Sequence, residues 1–140
     1  MGWLDFGVKH KFKISFIGAG NVAWQMGIAL ENTGHYINEI YSKNLKNAEE
    51  LAERLYGPKA VSSLDFSTSE SELFIIAIPD DAIKDIASRI KVPPGSLVVH
   101  TSGAKPASEL DTIEHATVGV FYPLQTFTKE KKMNLKDIPV

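Results

Sequence analysis

The sequence predicts an α/β fold, a doubly wound and mostly parallel sheet of six or more strands in the order 3-2-1-4-5-6. Three observations lead there. Short apolar runs alternate with segments of helical period, giving the order β-α-β-α-β-β-α-β-α-β and implying right-handed crossovers. The most apolar run, Leu73 to Ile78, does not alternate, as expected of a parallel strand covered on both faces. The first strand passes through a glycine turn directly into a helix.

Taken in order, Ile14 to Ile17, introduced by Phe12, reads as the first strand and stops at Gly18-Ala19-Gly20. Asn21 to Thr33 reads as a helix, with Val22, Ala23, Met26, Gly27 and Leu30 on one face and Gly34 as its stop. Ile37 to Tyr41 is the second strand. Leu45 to Tyr56 is the second helix, with Asn44 as N-cap and Gly57-Pro58 ending it. Ala60 to Ser62 is a short third strand, and the crossover after it is too short for a full helix. Pro79 ends the fourth strand, and Asp80 is placed to cap a helix striped by Ile83, Ile86, Ala87 and Ile90. Leu97 to His100 is the fifth strand, Ala107 to Ile113 a short helix, and Thr117 to Phe121 the sixth strand.

Length and composition bound the function. The 140 residues allow one domain with a real core, and 44% apolar with 23% charged residues is ordinary for a globular protein. A net charge of −2 argues against nucleic acid as the main partner. The absence of cysteine excludes disulfides, thiol nucleophiles and thiolate metal sites. No run of ~18 apolar residues suggests a membrane span, and the first residues show no cleavage-site pattern. The expectation is a cytoplasmic protein.

Gly18-Ala19-Gly20-Asn21-Val22-Ala23 matches G-x-G-x-x-[G/A] between a strand and a helix. Gly18 would allow the tight turn, Gly20 the approach of a pyrophosphate, and Ala23 close helix–strand packing. The helix N-terminus would offer N–H donors and positive dipole to the phosphates. A plain glycine turn without a ligand is the competing reading. At the end of the second strand, where an NAD site carries an acid, the sequence is Ser42-Lys43-Asn44. A hydroxyl, an ammonium and an amide suit a 2′-phosphate, so NADP is expected over NAD. Glu39 is the competing acid, and it sits too early in its strand to reach the ribose.

Ligands of open α/β sheets bind beyond the C-terminal strand ends. Ile78-Pro79-Asp80-Asp81, His100-Thr101-Ser102-Gly103-Ala104 and Tyr122-Pro123-Leu124-Gln125-Thr126-Phe127 should therefore gather beside the glycine loop. His100 and Ser102 could donate to a substrate oxygen or exchange a proton, set against ordinary capping and turn roles. Asp80 and Asp81 fit a helix N-terminus better than a metal. His10, His35 and His115 lack partners at ligand spacing, so no metal site is assigned. The lysines between 129 and 136 read as a solvated segment.

Together these segments resemble the Rossmann-like family of NADP oxidoreductases that carry a C-terminal helical domain of uncharacterised function. That family is similar in turn to pyrroline-5-carboxylate reductase and the deazaflavin-dependent NADP reductases. The resemblance spans about residues 12 to 140. The HTSGA and PLQTF segments are more specific to the group than the glycine loop. It implies hydride transfer between NADPH and a small substrate held against the helical domain, in a full-length homodimer without nucleic-acid or membrane partners. By position, Gly18, Ala19, Gly20, Asn21 and Val22 would bind pyrophosphate, and Ser42, Lys43 and Asn44 the 2′-phosphate. Ile78, Pro79, Thr101 and Ser102 would flank the nicotinamide ribose, and His100, Ser102, Tyr122 and Gln125 would face substrate. Tyr122 stands where the family often has histidine, and a phenol titrating near ~10 is a poor acid–base group at neutral pH.

The expected organisation is an N-terminal extension over 1–11, the dinucleotide-binding domain over 12–128, and a linker or opening strand over 129–140. The expectation is that the helical domain lies outside these 140 residues and that the chain binds NADP and turns over little by itself. A non-catalytic dinucleotide sensor is the alternative function. A third is a fold of this kind that binds another nucleotide or none.

Overall fold

A computed structural model describes residues 11–121. The elements are β1 (Lys13–Ile17), α1 (Asn21–Asn32), β2 (Tyr36–Tyr41), α2 (Leu45–Arg54), β3 (Lys59–Val61), β4 (Leu73–Ile76), α3 (Ile83–Arg89), β5 (Ser96–His100) and β6 (Ala116–Val120). One-turn 3-10 helices cover Asp80–Ala82, running into α3, and Ala107–Leu110. The six strands form one sheet in the order β3-β2-β1-β4-β5-β6, with every adjacent pair parallel.

The central strands have no solvent side. All four residues of β4 are buried, as are Ile14, Ser15, Phe16 and Ile17 of β1. Their side chains alternate between two cores, following the two-residue period of a strand. Phe16, Leu73 and Ile75 pack with Ala23, Met26 and Leu30 of α1 and with Ala48 and Leu51 of α2. Ile17, Phe74 and Ile76 pack on the other side with Ile83, Ile86 and Ala87 of α3, Phe66 and Leu110. Two buried faces explain why Leu73 to Ile76 reads as an unbroken apolar run.

The crossover from β3 to β4 lacks a helix and is held by polar bonds instead. The Ser15 hydroxyl donates to Glu39 Oε1 at 2.6 Å and lies 2.7 Å from the Ser71 hydroxyl. Ser69 donates to the same Glu39 oxygen at 2.7 Å. Phe66 N donates to the Lys91 carbonyl at 2.7 Å, and Lys91 N donates to the Leu64 carbonyl at 3.0 Å. Within this segment the Ser67 hydroxyl and amide both donate to Asp65 Oδ1, at 2.6 and 3.0 Å. The hydroxyl, then the amide, stabilises the ionised carboxylate and holds Asp65 below its ordinary value of 3.8.

Five local expectations need correction. Val22 is 36% exposed, so the core stripe of α1 is Ala23, Met26, Gly27 and Leu30. Asp80 does not cap α3. The cap of the preceding 3-10 turn is Pro79, no side chain bonds there, and Asp80 lies within the turn. The segment after Pro106 makes one 3-10 turn, Ala107–Leu110, and not a helix to Ile113. The helix at Leu45 stops at Arg54 and the strand at Leu73 stops at Ile76, each two residues early. Asn44 does cap α2, accepting from Lys46 N at 3.1 Å.

Candidate functional site

The glycine loop lies where β1 ends between β2 and β4. Gly18 N donates to the Tyr41 carbonyl at 2.8 Å, fastening the loop to the end of β2. Gly18 has φ +118°, and a Cβ there would lie 2.1 Å from the Ala77 carbonyl oxygen. Both facts demand glycine from within the protein. Gly20 differs. Its backbone is ordinary extended chain (φ −88°, ψ −165°), and a Cβ would meet none of the described residues within 4 Å. The described residues give no reason for glycine at position 20.

Gly20 is also the N-cap of α1 and brings no side chain to the helix end, and the first turn holds no acid. The opening N–H groups of a helix have no acceptors within it, so these donors face outward with the positive end of the dipole. Ala23, in the third motif position, is fully buried against the core.

Beside this loop is a cleft of about 660 Å³. Its walls include Gly18, Ala19 and Gly20, then Tyr41, Ser42 and Lys43 from the end of β2, and Ala77, Ile78 and Pro79 from the end of β4. The structure thus brings together seven of the residues expected from sequence. Asn21 and Val22 form the adjoining first turn of α1. Asn44 turns its side-chain oxygen to the α2 cap, while its backbone N–H donates to the Ser42 hydroxyl at 3.2 Å. Glu39 is engaged by Ser15 and Ser69, within β2 and away from the strand end.

Sequence reasoning missed the fourth wall. Ala82, Asp85, Ile86 and Arg89 line the cleft from α3 and the turn before it. Their spacing of i, i+3, i+4 and i+7 is one helix stripe. The signal was present, but the apolar stripe of Ile83, Ile86, Ala87 and Ile90 drew attention to the core side.

The end of β5 is built differently. His100 is fully buried. Its Nδ1 accepts from Ser102 N at 3.1 Å, and its Nε2 lies 2.9 Å from the Pro106 carbonyl oxygen. A backbone N–H can only donate and a carbonyl can only accept, so the ring carries its hydrogen on Nε2. Both nitrogens are used in shaping the loop from 101 to 106, and neither faces the cleft. The Ser102 hydroxyl accepts from Ala104 N at 3.1 Å, a local turn bond. Thr101 N donates to the Ile76 carbonyl at 3.2 Å, which ties this loop to the end of β4. Neither Thr101 nor Ser102 lines the cleft. Tyr122 and Gln125 lie outside the described residues.

Among the described residues, no group of three or more His, Asp or Glu side chains is placed to hold a metal ion, and no helix is long and apolar enough to cross a membrane.

The model of the Rossmann-like domain matches residues 7–123. The chain belongs to the Rossmann-like domain family. No curated protein matches it. Among solved structures, this Rossmann-like chain is similar to a Bacteroides fragilis protein provisionally named an NADP oxidoreductase, with 31% identity and a TM-score of 0.70. That match covers 92% of this chain and 50% of the other, so the chain spans half the length of this neighbour. Two more distant structures share the fold. One is an NADP+-bound yersinopine dehydrogenase, with 16% identity, a TM-score of 0.61, and coverage of 79% of this chain and 34% of that one. The other is a prephenate dehydrogenase from A. aeolicus solved with NAD+ and hydroxyphenyl propionate, with 11% identity, a TM-score of 0.64, and coverage of 79% and 42%.

Proposed function

We propose that this Rossmann-like domain binds NADP(H) and serves as the cofactor-binding part of an oxidoreductase that passes hydride between NADPH and a small substrate. The observation that carries the reading is Gly20. The folded chain explains Gly18 completely and leaves Gly20 unexplained, with open space above it and uncapped amides beside it. A pyrophosphate on the helix end would use that space and those donors.

The cleft fits the rest of such a molecule. Tyr41, Ser42 and Lys43 line the β2 side, with no carboxylate at the strand end to repel a 2′-phosphate. Lys43 would hold that phosphate as a point charge, and Ser42 would donate a hydroxyl to it. Ile78 and Pro79 offer an apolar shelf at the end of β4 for the nicotinamide half. The name of the Bacteroides fragilis neighbour agrees with this choice of cofactor.

When bound, the cofactor would supply the hydride. The domain's own residues would orient the dinucleotide and fix its position along the sheet edge. His100 would contribute by holding the 101–106 loop, not by exchanging protons, because both nitrogens are occupied. We further propose that a helical domain closes the substrate side in a homodimeric, cytoplasmic full-length protein, consistent with a match to only half of the neighbour's length.

The test is a titration of the chain with NADPH and NADH, read by nicotinamide fluorescence. NADPH should bind at least tenfold more tightly, and Lys43→Ala should erase most of that preference. Tighter binding of NADH would overturn the choice of NADP, and binding of neither would overturn the function. Turnover of imines or ketones by the longer protein would separate an enzyme from a sensor.

A further inference from the structure

We propose that Arg89 is a second specificity-determining cation for the 2′-phosphate, parked on Asp85 until NADP arrives. The inference rests on the NADP reading above and adds a residue and a switching contact to it.

Arg89 lies on the last turn of α3, remote in sequence from the glycine loop and from Lys43, yet it lines the same cleft as both. One turn earlier on the same stripe, Asp85 places a carboxylate in that cleft. A bare carboxylate there would oppose a phosphate dianion. Arg89 Nε lies 3.4 Å from Asp85 Oδ2, an i,i+4 ion pair that neutralises it. The two side chains are 55% and 68% exposed, so the pair is weakly held and easily exchanged. A guanidinium offers its flat fork to a phosphate more strongly than to a single carboxylate oxygen, because the phosphate carries about −2 charge and three acceptors. NADP would therefore draw Arg89 off Asp85. NAD has no phosphate to do so and would leave the pair closed. The freed Asp85 remains one turn away, where it limits how tightly the phosphate is held.

The pair makes opposite predictions for its two members. With Arg89 removed, the phosphate loses a cation. With Asp85 neutralised, Arg89 is free from the start. Titrating the full 140-residue chain with NADPH and NADH, Arg89→Ala should weaken NADPH at least tenfold and change NADH less than twofold. Asp85→Asn should tighten NADPH a few-fold and leave NADH unchanged. Asp85→Asn in the Arg89→Ala background should tighten NADPH by less than in the wild type, because no parked cation is left to release. Both sites are exposed, and far-UV circular dichroism checks the fold. Should Arg89→Ala not fold, Asp85→Asn decides alone. Equal losses for both dinucleotides, or wild-type NADPH affinity in Arg89→Ala, would overturn the role of Arg89 while leaving the NADP reading standing. Failure of the wild-type chain to bind either dinucleotide would overturn both.

Discussion

Two strand ends on the sheet's C-terminal rim handle polar groups in opposite ways. At the end of β1, the chain leaves donors open: α1 starts at a glycine without a capping side chain, and the space above Gly20 is empty. At the end of β5, the chain satisfies itself: His100 spends both ring nitrogens on its own loop, and Ser102 closes a turn onto Ala104. Buried polar groups must find partners, so a site kept for a ligand is visible as a place where the protein has not supplied them. That contrast supports the proposal of a phosphate site at the glycine loop and of a structural role for the end of β5.

The largest expected effect breaks the loop from within. Gly18→Ala adds a Cβ 2.1 Å from the Ala77 carbonyl oxygen at a φ of +118°. We expect a loss of about 3 kcal/mol or more in urea unfolding, since the clash is with backbone that cannot yield. The scaffold end comes next. His100→Ala leaves Ser102 N and the Pro106 carbonyl without partners and opens a cavity in the core. It should cost about 2–4 kcal/mol of stability, while the folded protein keeps its NADPH affinity. A large loss of affinity at full stability would make His100 part of the site and collapse the contrast.

The smallest effect lies far from the rim. The carboxyl of Asp65 is held low by Ser67, so its contribution to stability is present above the unfolded value of 3.8 and is lost as pH falls through the lower folded value. Ser67→Ala should lower Tm slightly near about pH 7, and by less as the pH falls below 3.8. A pH-independent difference would point to packing instead. At neutral pH the substitution should leave dinucleotide binding unchanged.

Much of this was legible in the residues. The strand order followed from alternation and from the glycine turn, because buried parallel strands and amphipathic helices leave unmistakable periods. Seven cleft residues followed from the principle that ligands gather at strand ends. What failed to show has particular causes. For His100 the residues leave both a chemical and a turn-forming role open, and the two bonds to its own loop appear only in three dimensions. Asp80 looked like a cap, but Pro79 starts a 3-10 turn ahead of α3 and shifts the helix start past it. Arg89 was hidden because α3 has two useful stripes, and the apolar one dominates the pattern.

Gly20→Asp tests the central claim most directly, because a Cβ at this position meets none of the described residues within 4 Å and the carboxylate can cap α1, while a pyrophosphate would meet both its bulk and its charge. Urea unfolding should stay within about 1 kcal/mol of the wild type, and NADPH affinity should fall at least a hundredfold. Unchanged NADPH affinity in a stably folded Gly20→Asp chain would contradict the assignment of this loop to a phosphate.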